Sequence, residues 1–343
     1  MRTFVIGLRI AALMSIFLIG SLSAQDTARL VKAEVVWSSE KHVVATDLVR
    51  FNDAWIMVCC ENSAAHQQEG VLRLITSKQT LPWESLAIVE SPTKGKLLRQ
   101  PRLSVQPDGH LMLTAVGIVA NPQSTQPLSQ FGGTIQTLTW SSIDGRNWSH
   151  ARPVGNAGFI QGKCASHDKT VYSYTRGFIC GNAQTIKIES GVDQQSMKEI
   201  YTKTLAEFFP NEASLTFTSD QGVCLMSRVG ERGKFQTGLL GIAKQPFLSW
   251  QWKETSAPVS FPNLIRIADD HVLVVGGLLD KQARTSVSRL NLETGELTEL
   301  LAIPTNGLPT QTGVATYGGR VWLSFHSDVQ GKKSAHLAEV IVE

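Results

Sequence analysis

A short polar turn followed by an alternating apolar strand occurs six times along this chain. The copies are Asn52-Asp53 before Ala54–Cys59, Asp108-Gly109 before His110–Thr114, and Asp168-Lys169 before Thr170–Tyr174. Then come Asp220-Gln221-Gly222 before Val223–Ser227, Asp269-Asp270 before His271–Gly276, and Gly318-Gly319 before Arg320–Phe325. Counted from Asp53, Asp108, Asp168, Asp220, Asp270 and Gly318, the copies are 55, 60, 52, 50 and 48 residues apart. Asn, Asp and Gly supply the turn and period-2 alternation supplies the strand, so each copy reads as a β-hairpin. A repeat of ~40–50 residues with several strands per copy is the pattern of a β-propeller.

A second feature runs in phase with the first. Ser77, Ser142 and Lys244 each end an apolar strand, and Trp83, Trp148 and Trp250 lie six positions after them. Ser142-Ile143-Asp144-Gly145 is a tight turn in which Gly145 takes positive φ. Helix signals are scarce, and one or two helical turns are expected only at Ser196–Glu207. The expected fold is all-β: a six-bladed β-propeller of four-stranded blades. Leu30–Trp37 alternates like a strand ahead of the first repeat and is expected to complete the last blade, closing the ring and removing exposed edges.

The N-terminus carries Arg2 and Arg9, an apolar stretch from Ile10 to Gly20, and small residues up to Ala24. That order reads as a secretory signal peptide over residues 1–24, with the propeller over 25–343. The folded part is then secreted or periplasmic, and no later apolar run is long enough to span a bilayer. The chain has 32 Lys+Arg against 29 Asp+Glu, too even a balance to suggest a nucleic-acid partner. There are five cysteines, an odd number and too few for a disulfide framework. Cys164 and Cys180 are a possible pair, while Cys59, Cys60 and Cys224 read as small core residues. No CxxC, HExxH or GxGxxG arrangement occurs, so neither a metal nor a nucleotide cofactor is implied.

Ser142–Trp148 resembles the Asp-box turn of sialidases, shortened by one residue. Leu98-Arg99-Gln100-Pro101-Arg102 resembles their Arg-x-Pro strand. Asn211-Glu212-Ala213-Ser214, with Arg228 sixteen residues after Glu212, resembles their paired glutamate and arginine. Ala283-Arg284-Thr285-Ser286 is similar to the strand bearing their last triad arginine. Phe209-Pro210-Asn211-Glu212, Pro262-Asn263-Leu264-Ile265-Arg266 and Trp322-Leu323-Ser324-Phe325 also look like motifs of secreted bacterial sialidase-like proteins with BNR repeats. The resemblance spans about residues 30–343.

It implies a carbohydrate-active protein for acidic or anionic glycans. Three arginines would hold a sugar carboxylate through paired, charge-assisted hydrogen bonds. Arg99, Arg228 and Arg284 are the candidates, with Asn211 and Lys163 beside them. Glu212 matches the glutamate that activates a tyrosine nucleophile in sialidases. Gln311 stands at the tyrosine's place, and an amide forms no useful glycosyl intermediate. His66 or Glu61 would be the acid, an imidazole near its ordinary pKa being able to donate a proton. Two expectations follow. A glycoside hydrolase would have a deep axial pocket with Glu212 facing Arg284. A non-catalytic glycan-binding propeller would have a plugged face with Glu212 neutralised by Arg228. In both cases the chain is expected to be a monomer with a glycan or glycoconjugate partner.

Overall fold

The computed structural model describes residues 27–62, 70–92, 98–120, 133–177, 184–230, 233–267, 271–305, 309, 311–329 and 331–343. The signal-like segment, His66, Cys180 and the turn Asp269-Asp270 lie outside them. The described residues form strands and connections, with no α-helix.

β1 (Ala28–Trp37) precedes the first sheet, ordered β2 (His42–Phe51), β3 (Ala54–Asn62), β4 (Gly70–Ser77), β5 (Glu84–Val89). The second is β6 (Arg99–Val105), β7 (Leu111–Ala120), β8 (Gly133–Ser142), β9 (Arg152–Val154). In the third, two short pieces, β10 (Phe159–Gln161) and β11 (Ala165–His167), both pair with β12 (Thr170–Gly177). β13 (Thr185–Gly191) and β14 (Lys198–Thr204) follow. Next come β15 (Phe209–Phe217), β16 (Gln221–Val229), β17 (Phe235–Lys244), β18 (Gln251–Arg266), β19 (Val272–Leu278), β20 (Arg284–Leu290) and β21 (Leu297–Ala302) in one continuous run. β18 joins two groups in this run: Gln251 to Pro258 pair with β17, and Val259 to Arg266 pair with β19. The last sheet is β22 (Gly313–Tyr317), β23 (Arg320–Val329), β24 (Lys332–Val342), with β1 on its far side. All pairings are antiparallel, and Thr27 and Glu343 exchange two backbone hydrogen bonds of 2.8 and 2.9 Å. The strand expected to close the last sheet therefore does so.

The second strand of each sheet is buried on both faces, which explains its continuous apolar sequence. In β3, Trp55, Met57 and Cys59 enter one core with Trp322 and Leu337, while Ile56, Val58 and Cys60 enter another with Leu103 and Leu113. Alternate side chains point to opposite faces of a strand, so each such strand joins two cores. β16 and β19 repeat the arrangement: Cys224 and Met226 oppose Val223 and Leu225, and Leu273 and Val275 oppose Val272 and Val274. Contacts pass from sheet to sheet in chain order and return from the last sheet to the first, where β2 meets β22. Between the second and third sheets the described contact is polar. Thr139 Oγ1 donates to Gln194 Oε1 at 3.3 Å, and Gln194 Nε2 donates to Gln161 Oε1 at 2.7 Å.

Two expectations are corrected. Ser196–Glu207 holds β14, not a helix. Tyr201, Thr202 and Thr204 favour extended backbone, β13 supplies a pairing edge, and Lys187 reaches Glu199 at 2.8 Å. The tryptophan turns are also more numerous than the sequence showed. The loop after β13, Gly191–Met197, has the same length and place as Ser77–Trp83, Ser142–Trp148 and Lys244–Trp250. Met197 replaces the tryptophan that made the others visible. The local hydrogen bonds persist: Asp144 and Asp193, each third in its loop, accept two backbone N–H groups, two and three residues on, at 2.8–2.9 Å, and Asn291 makes a like pair directly after β20. Where the tryptophan is present, its Nε1 donates to the carbonyl three residues back, as from Trp148 to Gly145 at 3.0 Å.

Cys59, Cys60 and Cys224 are buried, as expected for core residues. Cys164 carries a free thiol whose pKa burial pushes up to about 12.

Candidate functional site

The first strands of four sheets break at the same place. Register shifts fall between Val44 and Asp47, Arg99 and Arg102, Pro210 and Ala213, and Ser260 and Asn263. In each, two residues oppose one: Ala45-Thr46, Gln100-Pro101, Asn211-Glu212 and Phe261-Pro262. These are β-bulges, which re-aim side chains beside functional sites. Proline fits the second position because the extra residue donates nothing to the ladder. Ala45, Gln100 and Phe261 take φ of 51°, 54° and 46°. Such left-handed backbone costs on the order of 1–3 kcal/mol for a residue other than glycine. In the third sheet Gly162-Lys163-Cys164 interrupts the first strand between β10 and β11, and in the last Gln311-Thr312 lies directly before β22.

The bulge residues bond across the centre of the molecule, skipping the sheet between them. Lys163 Nζ reaches Asp47 Oδ1 at 2.9 Å, from third sheet to first. Gln100 Nε2 donates to Glu212 Oε1, from second sheet to fourth. Gln311 Nε2 donates to the Pro101 carbonyl at 2.6 Å, and Arg102 Nη1 to the Thr312 carbonyl at 3.3 Å. Asn263 Nδ2 donates to that same Thr312 carbonyl at 2.7 Å. The bonds that skip a sheet, joined by the Asn263–Thr312 bond between neighbouring strands, place these groups at a common centre. Asp47 is fully buried and also accepts the backbone N–H groups of Leu48 and Leu103, at 2.9 and 2.8 Å. Gly313 is required here, since a Cβ on it would lie 2.3 Å from the Leu48 nitrogen.

Glu212, 7% exposed, is the centre's second carboxylate. Arg176 Nη2 lies 3.3 Å from its Oε1, and its main-chain carbonyl accepts the Ser227 hydroxyl at 3.0 Å. Asn211 offers its main-chain carbonyl to the Tyr174 hydroxyl. Burial pushes the Tyr174 pKa up, opposed by the charges of Arg176 and Arg102. The structure thus brings Glu212, Asn211, Lys163 and Gln311 together at the centre. Gln311 is buried and bonded to backbone.

The expected arginine triad is not assembled. Arg228 turns along its own sheet, donating to the Thr237 carbonyl at 2.9 Å and pairing with Glu254 at 2.9 Å. Arg284 lies between Asp280 and Glu299, at 2.6 Å from each. Both are held by acidic neighbours on adjacent strands of their own sheets, a nearer source of charge than the centre. Arg99 is exposed at the start of β6. Neither expected partner of Glu212, Arg284 or Arg228, contacts it; Arg176 and Gln100 do.

Glu61 does not suit the part of an acid. Trp37 Nε1 donates to it at 2.7 Å, and Arg73 grips its other oxygen at 3.0 and 3.2 Å. Burial opposes ionisation, but these bonds and the Arg73 charge outweigh it and hold the carboxyl below its ordinary pKa. A carboxyl kept ionised does not donate a proton. His66 lies outside the described residues.

The sequence reading missed Asp47, Arg102 and Arg176. Each had a signal. Arg176 lies one residue from the end of its strand as Arg228 does one repeat on, and Asp47 and Arg102 are charges set directly before the apolar pair Leu48-Val49 and the core leucine Leu103, respectively.

No family model and no curated protein sequence matches the chain. Solved structures do. A protein of unknown function from Dyadobacter fermentans has a TM-score of 0.77 at 15% identity, over 92% of this chain and 100% of that one. An α-L-arabinanase from Penicillium chrysogenum, complexed with arabinobiose, has a TM-score of 0.67 at 14% identity, over 91% and 98%. A Trypanosoma rangeli sialidase has a TM-score of 0.66 at 9% identity, over 91% of this chain and 59% of that one. The likeness is one of fold: an all-β, propeller-like arrangement of antiparallel sheets. Among the described residues no helix is long and apolar enough to cross a membrane.

Proposed function

We propose that this protein is an exported six-bladed propeller of four-stranded blades that recognises the end of a glycan at its axis. The six blades follow if β18 is divided between the fourth and fifth. Export follows from the signal-like N-terminus. The observation that carries the reading is Glu212, a buried carboxylate set on an axial bulge and held by Gln100 from across the axis. Carbohydrate sites combine a carboxylate with amide donors, and Glu212 and Gln100 supply that pair at one point. The arabinanase and sialidase likenesses over 91% of the chain agree with a carbohydrate ligand.

Binding is favoured over turnover by the state of the other carboxylates. Glycoside hydrolysis ordinarily uses two acidic groups. Asp47 is sealed against Lys163 and two N–H groups, and Glu61 is locked to Arg73 and Trp37. The ion pairs of the centre, Lys163 with Asp47 and Arg176 with Glu212, each cancel in charge, and the remaining cation, Arg102, is buried against the Thr312 carbonyl, an arrangement that suits a neutral sugar better than a cluster of open cations would. An acidic glycan is the second reading, favoured by Arg99, exposed beside Gln100.

The test is a panel of neutral oligosaccharides, sialosides and uronides, scored for both binding and hydrolysis. Glycan binding without turnover, abolished in Glu212→Gln and kept in Arg284→Ala, supports the first reading. Turnover that disappears in Glu212→Gln makes the protein a hydrolase. Binding of sialosides or uronides alone, weakened in Arg99→Ala, moves the ligand to an acidic sugar.

A further inference from the structure

We infer that Phe261 is the sugar-stacking platform of the axial site; the inference rests on the glycan reading above. Phe261 is the first residue of the bulge in β18, the place that Gln100 holds in β6. The two share a left-handed backbone, φ 46° and 54°. A side chain leaving the same bulge position on the same backbone points the same way relative to the axis. Gln100 points at Glu212, so the Phe261 ring is presented to the same mouth.

Two further features set this residue apart from core packing. Phe261 is half-buried and belongs to none of the five apolar clusters that hold the sheets together. The opposing strand is also shaped to admit the backbone of this bulge. A Cβ on Gly276 would lie 2.8 Å from the Phe261 carbonyl oxygen and 2.9 Å from that of Ser260. An aromatic held at left-handed φ outside every apolar cluster is a cost without a return in core packing. Strained, partly open positions of this kind gather at ligand sites. Such sites pair apolar faces with a few fixed polar groups. Phe261 supplies a flat apolar surface for the C–H face of a sugar, and Gln100 and Glu212 meet its hydroxyls. The ligand class is a neutral glycosyl unit with one unsubstituted ring face.

The experiment measures calorimetric binding of neutral disaccharides of pentoses and of hexoses, with thermal melting alongside. It compares the wild type with Phe261→Tyr, Phe261→Leu, Phe261→Gly and Glu212→Gln. Phe261→Tyr is expected to bind within about threefold of wild type, and Phe261→Leu and Phe261→Gly about tenfold or more weakly, the scale of losing a central aromatic anchor. Phe261→Gly is expected to melt no lower than wild type, because glycine relieves the left-handed strain. Phe261→Leu binding as tightly as Phe261→Tyr overturns the platform. Weak binding by Glu212→Gln with undiminished binding by Phe261→Gly overturns the platform and leaves the Glu212 site standing. A wild type that binds none of the disaccharides overturns this inference, and binding of acidic glycans in the wider panel then separates its failure from that of the glycan reading.

Discussion

The energetics of single residues concentrate at the axis. Asp47 is a fully buried anion, and Lys163 is its only cationic partner among the described hydrogen bonds and ion pairs. Removing one member of a buried pair leaves the other uncompensated, at roughly 3–5 kcal/mol. Lys163→Ala is therefore expected to lower the unfolding free energy by about that amount in urea titrations, and Asp47→Asn in the same background is expected to recover part of it. His326 acts through the same region, accepting the Ala45 backbone N–H on Nδ1 at 3.2 Å. Burial, aided by the charges of Lys333 and His336, pushes its pKa from 6.5 down to about 4. The unfolded chain then takes up the proton first as pH falls. The stability tied to the neutral ring is complete above about pH 6.5 and lost as pH falls toward about 4. His326→Gln is expected to flatten that part of a urea-midpoint profile against pH. An equal slope in both proteins would assign the acid sensitivity elsewhere.

Elements fold here through devices repeated from sheet to sheet. The seven-residue loop after the third strand survives the loss of its tryptophan because side-chain oxygens still collect its backbone N–H groups. Asn291→Ala removes two such bonds, at 2.9 Å each, and is expected to cost about 1 kcal/mol in thermal unfolding. The bulges have their own requirement. A side chain on Gly276 collides with two carbonyls, so Gly276→Val is expected to destabilise by about 1–3 kcal/mol, the range for overpacking. The same change at Gly109, with open space around it, carries only the penalty of its positive φ. Comparing the two variants separates crowding from backbone strain.

The whole molecule is a ring closed by its own ends. β1 pairs with β24 along most of its length, and Trp37 at the end of β1 also holds Glu61 in the first sheet. Without β1, the edge of β24 would be bare, and unpaired edges invite association with other chains. A chain beginning after Ser38 is expected to lose cooperative thermal unfolding and to aggregate. Retention of a single sharp transition would show that closure adds little. The polar seam between the second and third sheets is the ring's other distinctive joint, held by Gln194 and Gln161 where apolar cores bind the rest.

The five turns within the described residues, the alternating strands and the closing strand were legible in the sequence because they are local or periodic. A turn needs Asp, Asn or Gly at fixed offsets, and a strand needs period two. Glu212 and Lys163 were singled out from motifs within a few residues, and the structure places both at the centre. The partners were not. Whether Arg176, Arg228 or Arg284 meets Glu212 depends on which charge lies nearer in space. Asp280, Glu299 and Glu254 capture the last two before they reach the axis. The bulges were hidden for a related reason: an extra residue in one strand exists only relative to its partner. Sequence specified the repeating unit. Tertiary structure decided the site, because strands far apart in the chain meet at one point only when sheet packs on sheet and the last returns to the first.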